Sequence, residues 1–328
     1  MAKKLDSVKM INAIRSEASA EYQERIPVAT RENLQTVGKA ITEYTPTLNE
    51  FTNALVSKIG VQLFATKMAK NKLSKFKKGM LSNASDIEEI FVAMAQGISY
   101  DKDGQNVLAR KKPNVSSLYY KENYQQTYEV SVSDAQIKQA FTSEQSMANL
   151  TLQIINSMYS GANHDEYLNM KNLMSAYETS YKSVIVPSVV DESSAKAFMK
   201  AIRKTVTDLT FMSDQYNAEN VKTYTEESEQ VLLIHKDVLA EVDVEVLAKA
   251  FNLGKTDFET QIVVVDDFGG MSSTLALLVD KDWFMMYDTL RTVESIRNPK
   301  GLFTNYFLHV WQIQAVSKFK NAVAFKTA

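Results

Sequence analysis

TSEQSMANLTLQIINSMYSGANHDEYLNMKNLMSAYETS, residues 142–180, is the stretch on which the architecture turns. Met147, Leu150, Ile154 and Met158 recur at spacings of three and four, and Tyr167, Met170, Met174 and Tyr177 do so again. Both sets are apolar stripes at helical period. At about 100° per residue, the second stripe is rotated by more than a quarter turn from the first. Gly161-Ala162-Asn163 therefore marks a kink, a break, or a helix buried on more than one face. Thr142 with Gln145 has the spacing of a capping box for this helix, and Ser133 with Gln136 that of a shorter helix just before it. Unbroken, Met147 to Tyr177 would run roughly 45 Å, which favours a flat, extended molecule.

Upstream, Leu34, Val37 and Ile41, then Leu48, Phe51, Leu55 and Ile59, predict two helices separated at Thr45-Pro46-Thr47. Residues 58–78 carry seven lysines (58, 67, 70, 72, 75, 77 and 78) and no acid. Such a run is either a solvated face or a contact for phosphate or an acidic surface. From 80 to 135 the pattern changes to strands and turns: Ile87, Ile90 and Val92, a turn at Asp103-Gly104, the basic Arg110-Lys111-Lys112-Pro113, and alternating Tyr128, Val130 and Val132. Tyrosines 100, 119, 120, 124 and 128 fall in a stretch with no Phe or Trp. Tyr has an apolar body and a polar tip, so this region reads as a protruding hairpin, either simply exposed or packed outside its own domain.

Downstream, Val184-Ile185-Val186-Pro187 reads as a strand leaving the helix, and Asp191 as the cap of a helix with Ala195, Phe198, Ile202, Val206 and Leu209 on one face. Strand-like 231–234, helical 238–251, and strand-like 262–265 and 275–279 follow, and 306–316 reads as one long strand.

The 328 residues include 37 basic and 39 acidic side chains, a formal charge of −2, so no global field draws in nucleic acid or anionic membrane. Absent cysteines exclude disulfides and thiol chemistry and fit a reducing place of synthesis. No signal peptide is read at Met1–Leu5, and no apolar run approaches the ~20 residues of a membrane span. Gly254-Lys255-Thr256 lacks the second glycine of a phosphate loop, since Lys249 stands five positions earlier. Asp267-Phe268-Gly269 spells a kinase metal triplet without a kinase catalytic loop, and Asp266 to Gly270 reads as a turn after a buried strand. His164, His235 and His309 have no spacing that pairs them on metal. No catalytic, cofactor-binding or metal-binding residue is nominated, and no enzyme is expected.

Several words in order carry a resemblance: Phe76-Lys77-Lys78-Gly79 then Ile87-Glu88-Glu89-Ile90; Pro113-Asn114-Val115 then Leu118-Tyr119-Tyr120; Gln139-Ala140-Phe141; Asp165-Glu166-Tyr167; Leu232-Leu233-Ile234-His235-Lys236-Asp237; Ala250-Phe251-Asn252; and Asp280-Lys281-Asp282-Trp283. From about residue 45 onward the chain resembles the major capsid proteins of tailed double-stranded DNA bacteriophages, built on the HK97-like fold. The resemblance implies an α+β fold. Its parts would be an N-terminal arm and helices at 1–75, an extended β-hairpin (E-loop) at 76–135, a peripheral domain with the spine helix at 136–190, an axial domain at 191–290, and a peripheral return strand at 291–328. It implies a structural protein that assembles with itself into hexamers and pentamers of an icosahedral shell around the genome, in the virion, after assembly in the host cytoplasm. Hairpin and arm would reach neighbouring subunits. Implied partners are scaffolding and portal proteins and packaged double-stranded DNA in non-specific contact, with no membrane and no cofactor. About 45 residues precede the resemblance, so a separate scaffolding protein is expected. Some members crosslink by Lys–Asn isopeptide bonds, for which Lys111, Lys112 and Lys121 are conceivable donors without aligning to that chemistry, so a non-covalent shell is expected. The alternative is a DNA-binding protein that uses lysine-rich 58–78.

Overall fold

The computed structural model describes residues 7–63, 71–81, 86–100, 102, 110–242 and 261–327. Its helices are α1 (Ser7–Glu17), α2 (Ala20–Arg25), α3 (Leu34–Glu43), α4 (Thr45–Leu63), α5 (Asp134–Ala140), α6 (Glu144–Ala176), α7 (Glu192–Leu209) and α8 (Lys236–Glu241). The strands are β1 (Lys77–Met80), β2 (Asp86–Val92), β3 (Val115–Lys121), β4 (Tyr124–Ser133), β5 (Lys182–Ile185), β6 (Gln230–His235), β7 (Ile262–Val265), β8 (Thr274–Asp280), β9 (Phe284–Asn298), β10 (Phe303–Val316) and β11 (Ala322–Lys326). They form sheets of order β1-β9-β10-β4 and β5-β11-β8-β6-β7, and a separate β2-β3 pair. The chain divides into two compact units, one of residues 1–71, 124–167 and 288–312, the other of 72–123, 168–287 and 313–328.

In the first unit, α1 to α6 pack with β4 and β10 around one apolar core. Met10, Ile11, Ile14, Tyr22 and Ile26 lie within it, almost fully shielded from solvent. Arg15 clasps the end of α2, its Nε donating to the Ile26 carbonyl at 2.6 Å and Nη2 to that of Gln23 at 2.7 Å, so carbonyls that a helix end leaves unpaired are satisfied. Residues 7–26 are thus not an arm free to reach a neighbour, as expected above, because their apolar stripe is spent on their own unit. Gly38 of α3 is the place where only a hydrogen fits: a Cβ there would stand 2.2 Å from the Phe141 Cβ.

α6 is continuous for 33 residues, so there is no break at Gly161. The two stripes point to nearly opposite sides, and both are buried, Met147, Ile154 and Met158 on one and Met170 and Met174 on the other. Gly161 admits the Tyr128 ring, 3.3 Å from where a Cβ would be. The N-cap is one residue later than expected. Ser143 Oγ accepts from the Ser146 N–H at 3.1 Å, while the Thr142 hydroxyl turns back to the Gln139 carbonyl at 2.7 Å. The Ser133–Gln136 capping box forms as expected, and that at Asp191 closes reciprocally through Ser194.

β4 pairs antiparallel with β10 from Ser133↔Phe303 to Tyr124↔Gln312. Val132, Tyr306, Leu308 and Val310 are buried in the core, and Tyr124, Tyr128 and Val130 pack against it. The expected hairpin over 76–135 is therefore narrower. Residues 124–133 belong to a core sheet, and the hairpin proper is β2 and β3.

In the second unit β6 and β8 are buried on both faces, which is why Val231 to Ile234 and Leu275 to Val279 read as unbroken apolar runs. Phe198 of α7 meets Phe325 of β11 edge-on at 6.0 Å. β11 lies between β5 and β8, parallel to the first and antiparallel to the second. Residues 322–326 thus complete this sheet rather than prolonging the long return strand, because Val323 and Phe325 fill its core. Of the helix expected at 238–251, residues 238–241 fall in α8 and 243–251 lie outside the described residues.

Candidate assembly surface

β2 and β3 pair from Asp86↔Lys121 through Glu88↔Tyr119 and Ile90↔Ser117 to Val92↔Val115. Side chains alternate across a strand, so this register sorts the ribbon into two unlike faces. Ile87, Leu118 and Tyr120 pack with Met285 and Ile313. Glu89 Oε2 accepts from the Tyr120 hydroxyl at 2.7 Å and its Oε1 from the Ser317 hydroxyl at 2.6 Å, while Phe91 stacks on Phe319 at 5.6 Å. Burial, with Glu89 as acceptor, pushes the Tyr120 phenol far above its ordinary range. This face is satisfied within its own unit.

The opposite face is not. Ile90, Val92, Val115 and Tyr119 are 57%, 56%, 51% and 63% exposed, and past the strand Met94, Ile98 and Tyr100 are more than half exposed too. Tyr119 donates to Glu88 Oε1 at 2.7 Å, which holds its ring along the ribbon. A run of apolar side chains left in water along one ribbon face marks a contact surface. Arg110, Lys111 and Lys112 lead into β3 and are exposed, whereas the Asp103-Gly104 turn lies outside the described residues.

The described part of the lysine-rich segment is divided among the end of α4, a 3-10 turn at Ser74–Phe76 and β1. Lys78 is paired with Asp282. Burial lowers the Lys78 pKa, partly offset by Asp280. Lys75 lies over the Phe76 ring, 5.4 Å from its centroid, and that ring packs on Phe284 at 4.9 Å. Lys67 and Lys70, and the side chain of Lys58, lie outside the described residues. The DNA-binding reading of 58–78 is not supported, and Lys75 and Lys78 are engaged within the second unit.

The histidines sit on α6, β6 and β10. His235 caps α8, its Nδ1 accepting from the Asp237 N–H at 3.3 Å, and His309 Nδ1 lies 3.1 Å from the Thr127 hydroxyl. Among the described residues no group of three or more His, Asp or Glu is gathered as metal ligands, and no helix is long and apolar enough to cross a membrane. Asp266 to Gly270 is a turn after β7, as read, and it docks on α6: Lys171 Nζ reaches Asp267 at 2.7 Å and Asp266 at 3.1 Å. The Lys171 hydrogen bond, with the Gly269 N–H, holds the Asp267 carboxyl below its ordinary range. Gly254-Lys255-Thr256 lies outside the described residues.

One buried polar group escaped the sequence. Gln312 Nε2 donates to both Glu166 Oε2 and Asp288 Oδ1 at 2.7 Å, and Asn71 Nδ2 donates to Glu166 Oε1 at 3.1 Å. These residues are 146 and 24 positions apart from Gln312 or 95 from one another, a separation no local pattern reveals. The only signal was Glu166 inside an otherwise apolar helix face.

The sequence matches the family model of Phi29-like phage major capsid proteins over residues 11–326. The chain belongs to that family. It is 39% identical to the major capsid protein of Bacillus phage B103 and 37% identical to that of Bacillus phage PZA, in each case over 98% of this chain and 73% of the relative. The fold is HK97-like: a chain of the capsid structure of Staphylococcus phage Andhra superposes with a TM-score of 0.66 at 14% identity, over 80% of this chain and 86% of that one. As a phage capsid protein it is a component of the virion.

Proposed function

We propose that copies of this chain assemble into hexamers and pentamers of an icosahedral shell enclosing double-stranded DNA, and that the outer face of the β2–β3 ribbon lies over an adjacent subunit. The observation that carries this is the two-sided character of the ribbon, one face seated on its own unit and the other exposing Ile90, Val92, Val115 and Tyr119. Head-to-tail contacts of this kind close into rings. Many modest interfaces on one closed surface then hold far better than any one alone, since each later contact forms at high effective concentration.

In this reading residues 1–75 are the N-terminal segment, whose helices from residue 7 on pack within their own unit, 86–121 the E-loop, α6 the spine of the peripheral domain, and 191–290 the axial domain, with β9 and β10 returning to the peripheral sheet. Scaffolding and portal proteins are the partners during assembly in the host cytoplasm. No catalytic residue, metal or cofactor enters this reading.

Negative-stain microscopy of the purified protein tests the shell. Polyhedral particles or capsomer sheets are expected, separating into single chains in SDS because the shell is non-covalent. The hairpin is tested by replacing residues 94–113 with a two-residue turn. That spares both strands and the Ala93 N–H to Asn114 carbonyl bond of 2.9 Å. The variant should fold and fail to make shells, and shells of wild-type size and yield would overturn the assignment.

A further inference from the structure

α7 carries a line of cations that its own unit does not use. Lys196, Lys200, Arg203 and Lys204 all lie on its exposed side, opposite buried Phe198, Ile202 and Val206. Lys196 is paired with Glu192 at 2.6 Å. Among the described residues no acid is paired with Lys200, Arg203 or Lys204. Lys196/Lys200 and Lys200/Lys204 are like charges one turn apart, an arrangement that destabilises an isolated helix. A solvated face would as easily interleave acids. Instead the stripe stays positive over about 12 Å of helix axis, in a chain whose net charge is −2.

We propose that the exposed face of α7 is a genome-facing surface of the shell, binding phosphates of packaged double-stranded DNA without regard to sequence. This rests on the shell reading above. The cations step along the helix by about 6 Å per four residues, which suits an evenly charged polyanion. A neighbouring copy would have to supply a matching acidic row. Of the acids close by in the sequence, Glu192 is committed to Lys196 at 2.6 Å and Glu229 to Lys281 at 2.8 Å. Recognition here is electrostatic, through release of counterions condensed on the duplex.

The test compares the wild-type full chain with K200Q/R203Q/K204Q, binding a short duplex of random sequence across a salt series, with particle formation scored separately by microscopy. Four phosphate contacts give a slope of about −3.6 in log affinity against log salt, so wild type should lose about 150-fold between 50 and 200 mM salt. The variant, keeping one contact, should lose only about 3.5-fold over the same interval. The exposed Arg110, Lys111 and Lys112 of the hairpin are the control, and their triple Gln variant should keep the wild-type slope. The proposal is overturned if K200Q/R203Q/K204Q binds DNA with the wild-type slope. Should it then also fail to form shells, the stripe is a contact between copies; should it form them, the stripe is a solvated face. Absence of shells from wild type would count against the shell itself, and the salt slopes would still decide the role of α7.

Discussion

Replacing Ile90 and Val92 together by Thr separates what holds the subunit from what joins subunits. Both side chains lie on the outer ribbon face and are 57% and 56% exposed. Thr keeps the β-branch that favours an extended strand, so the isolated chain should lose no more than about 0.5 kcal/mol, the usual range for surface changes. At a subunit contact the accounting differs. Full burial of a Val or Ile side chain stabilises by about 1.5–3 kcal/mol, and slightly more than half of each remains to be covered, giving about 1 kcal/mol apiece. Two hydroxyls buried without partners add about 1 kcal/mol each at the low end. The sum, about 4 kcal/mol per contact, corresponds to roughly three decades in association constant. The assay is sedimentation of wild type and variant over a concentration series, beside thermal unfolding of the unassembled chains. The expected result is matched unfolding curves with assembly of the variant pushed to far higher concentration. Assembly at the wild-type threshold would refute the placing of this face at an interface, and a large drop in unfolding temperature would show that it serves the subunit's own fold.

Gly269 has φ +65°, and a Cβ there would come within 2.4 Å of the Lys171 carbonyl oxygen, a backbone atom that cannot swing aside. Gly269→Ala should cost about 2–5 kcal/mol, from the left-handed conformation and the overpacked contact together, read as a lower denaturant midpoint; an unchanged midpoint would mean the turn can draw back from α6. The same turn predicts an acid response. A depressed Asp267 pKa means its contribution is fully present above the unfolded-state value of about 3.9 and is lost as pH falls through the lower folded-state value. Stability measured from about pH 5 downward should therefore fall less steeply in Asp267→Asn than in wild type, and parallel curves would remove Asp267 from the acid response.

How far the sequence could be read depended on range. Elements with their own periodicity were legible: both stripes of α6, the alternation of Tyr128, Val130 and Val132, the box at Ser133, and the cap at Asp191. Continuity through Gly161 was not, because a glycine marks a helix break as readily as the close approach of a ring, here that of Tyr128, 33 residues away in the chain. The choice of Ser143 as cap runs against the capping-box pattern, which Thr142 satisfies through Gln145 while Ser143 has Ser146 three residues on. Tyr120, Tyr124 and Tyr128 read as part of a protruding hairpin because tyrosine signals a half-buried position without saying whose surface covers it. Here their own units do, and only Tyr119 and Tyr100 remain outside. The candidate surface was legible as a region. Which of its residues face outward was fixed by the register of β2 on β3, and a slip of one residue would have reversed the two sets.

The position of β11 carries a consequence for synthesis. Its five residues lie inside a five-stranded sheet, between β5 and β8, so that sheet has a gap until residues 322–326 arrive. A chain interrupted by the ribosome anywhere before them leaves β5 and β8 with open edges and the second unit unable to close. Strand order thus makes closure of the second unit wait on the last strand of the chain.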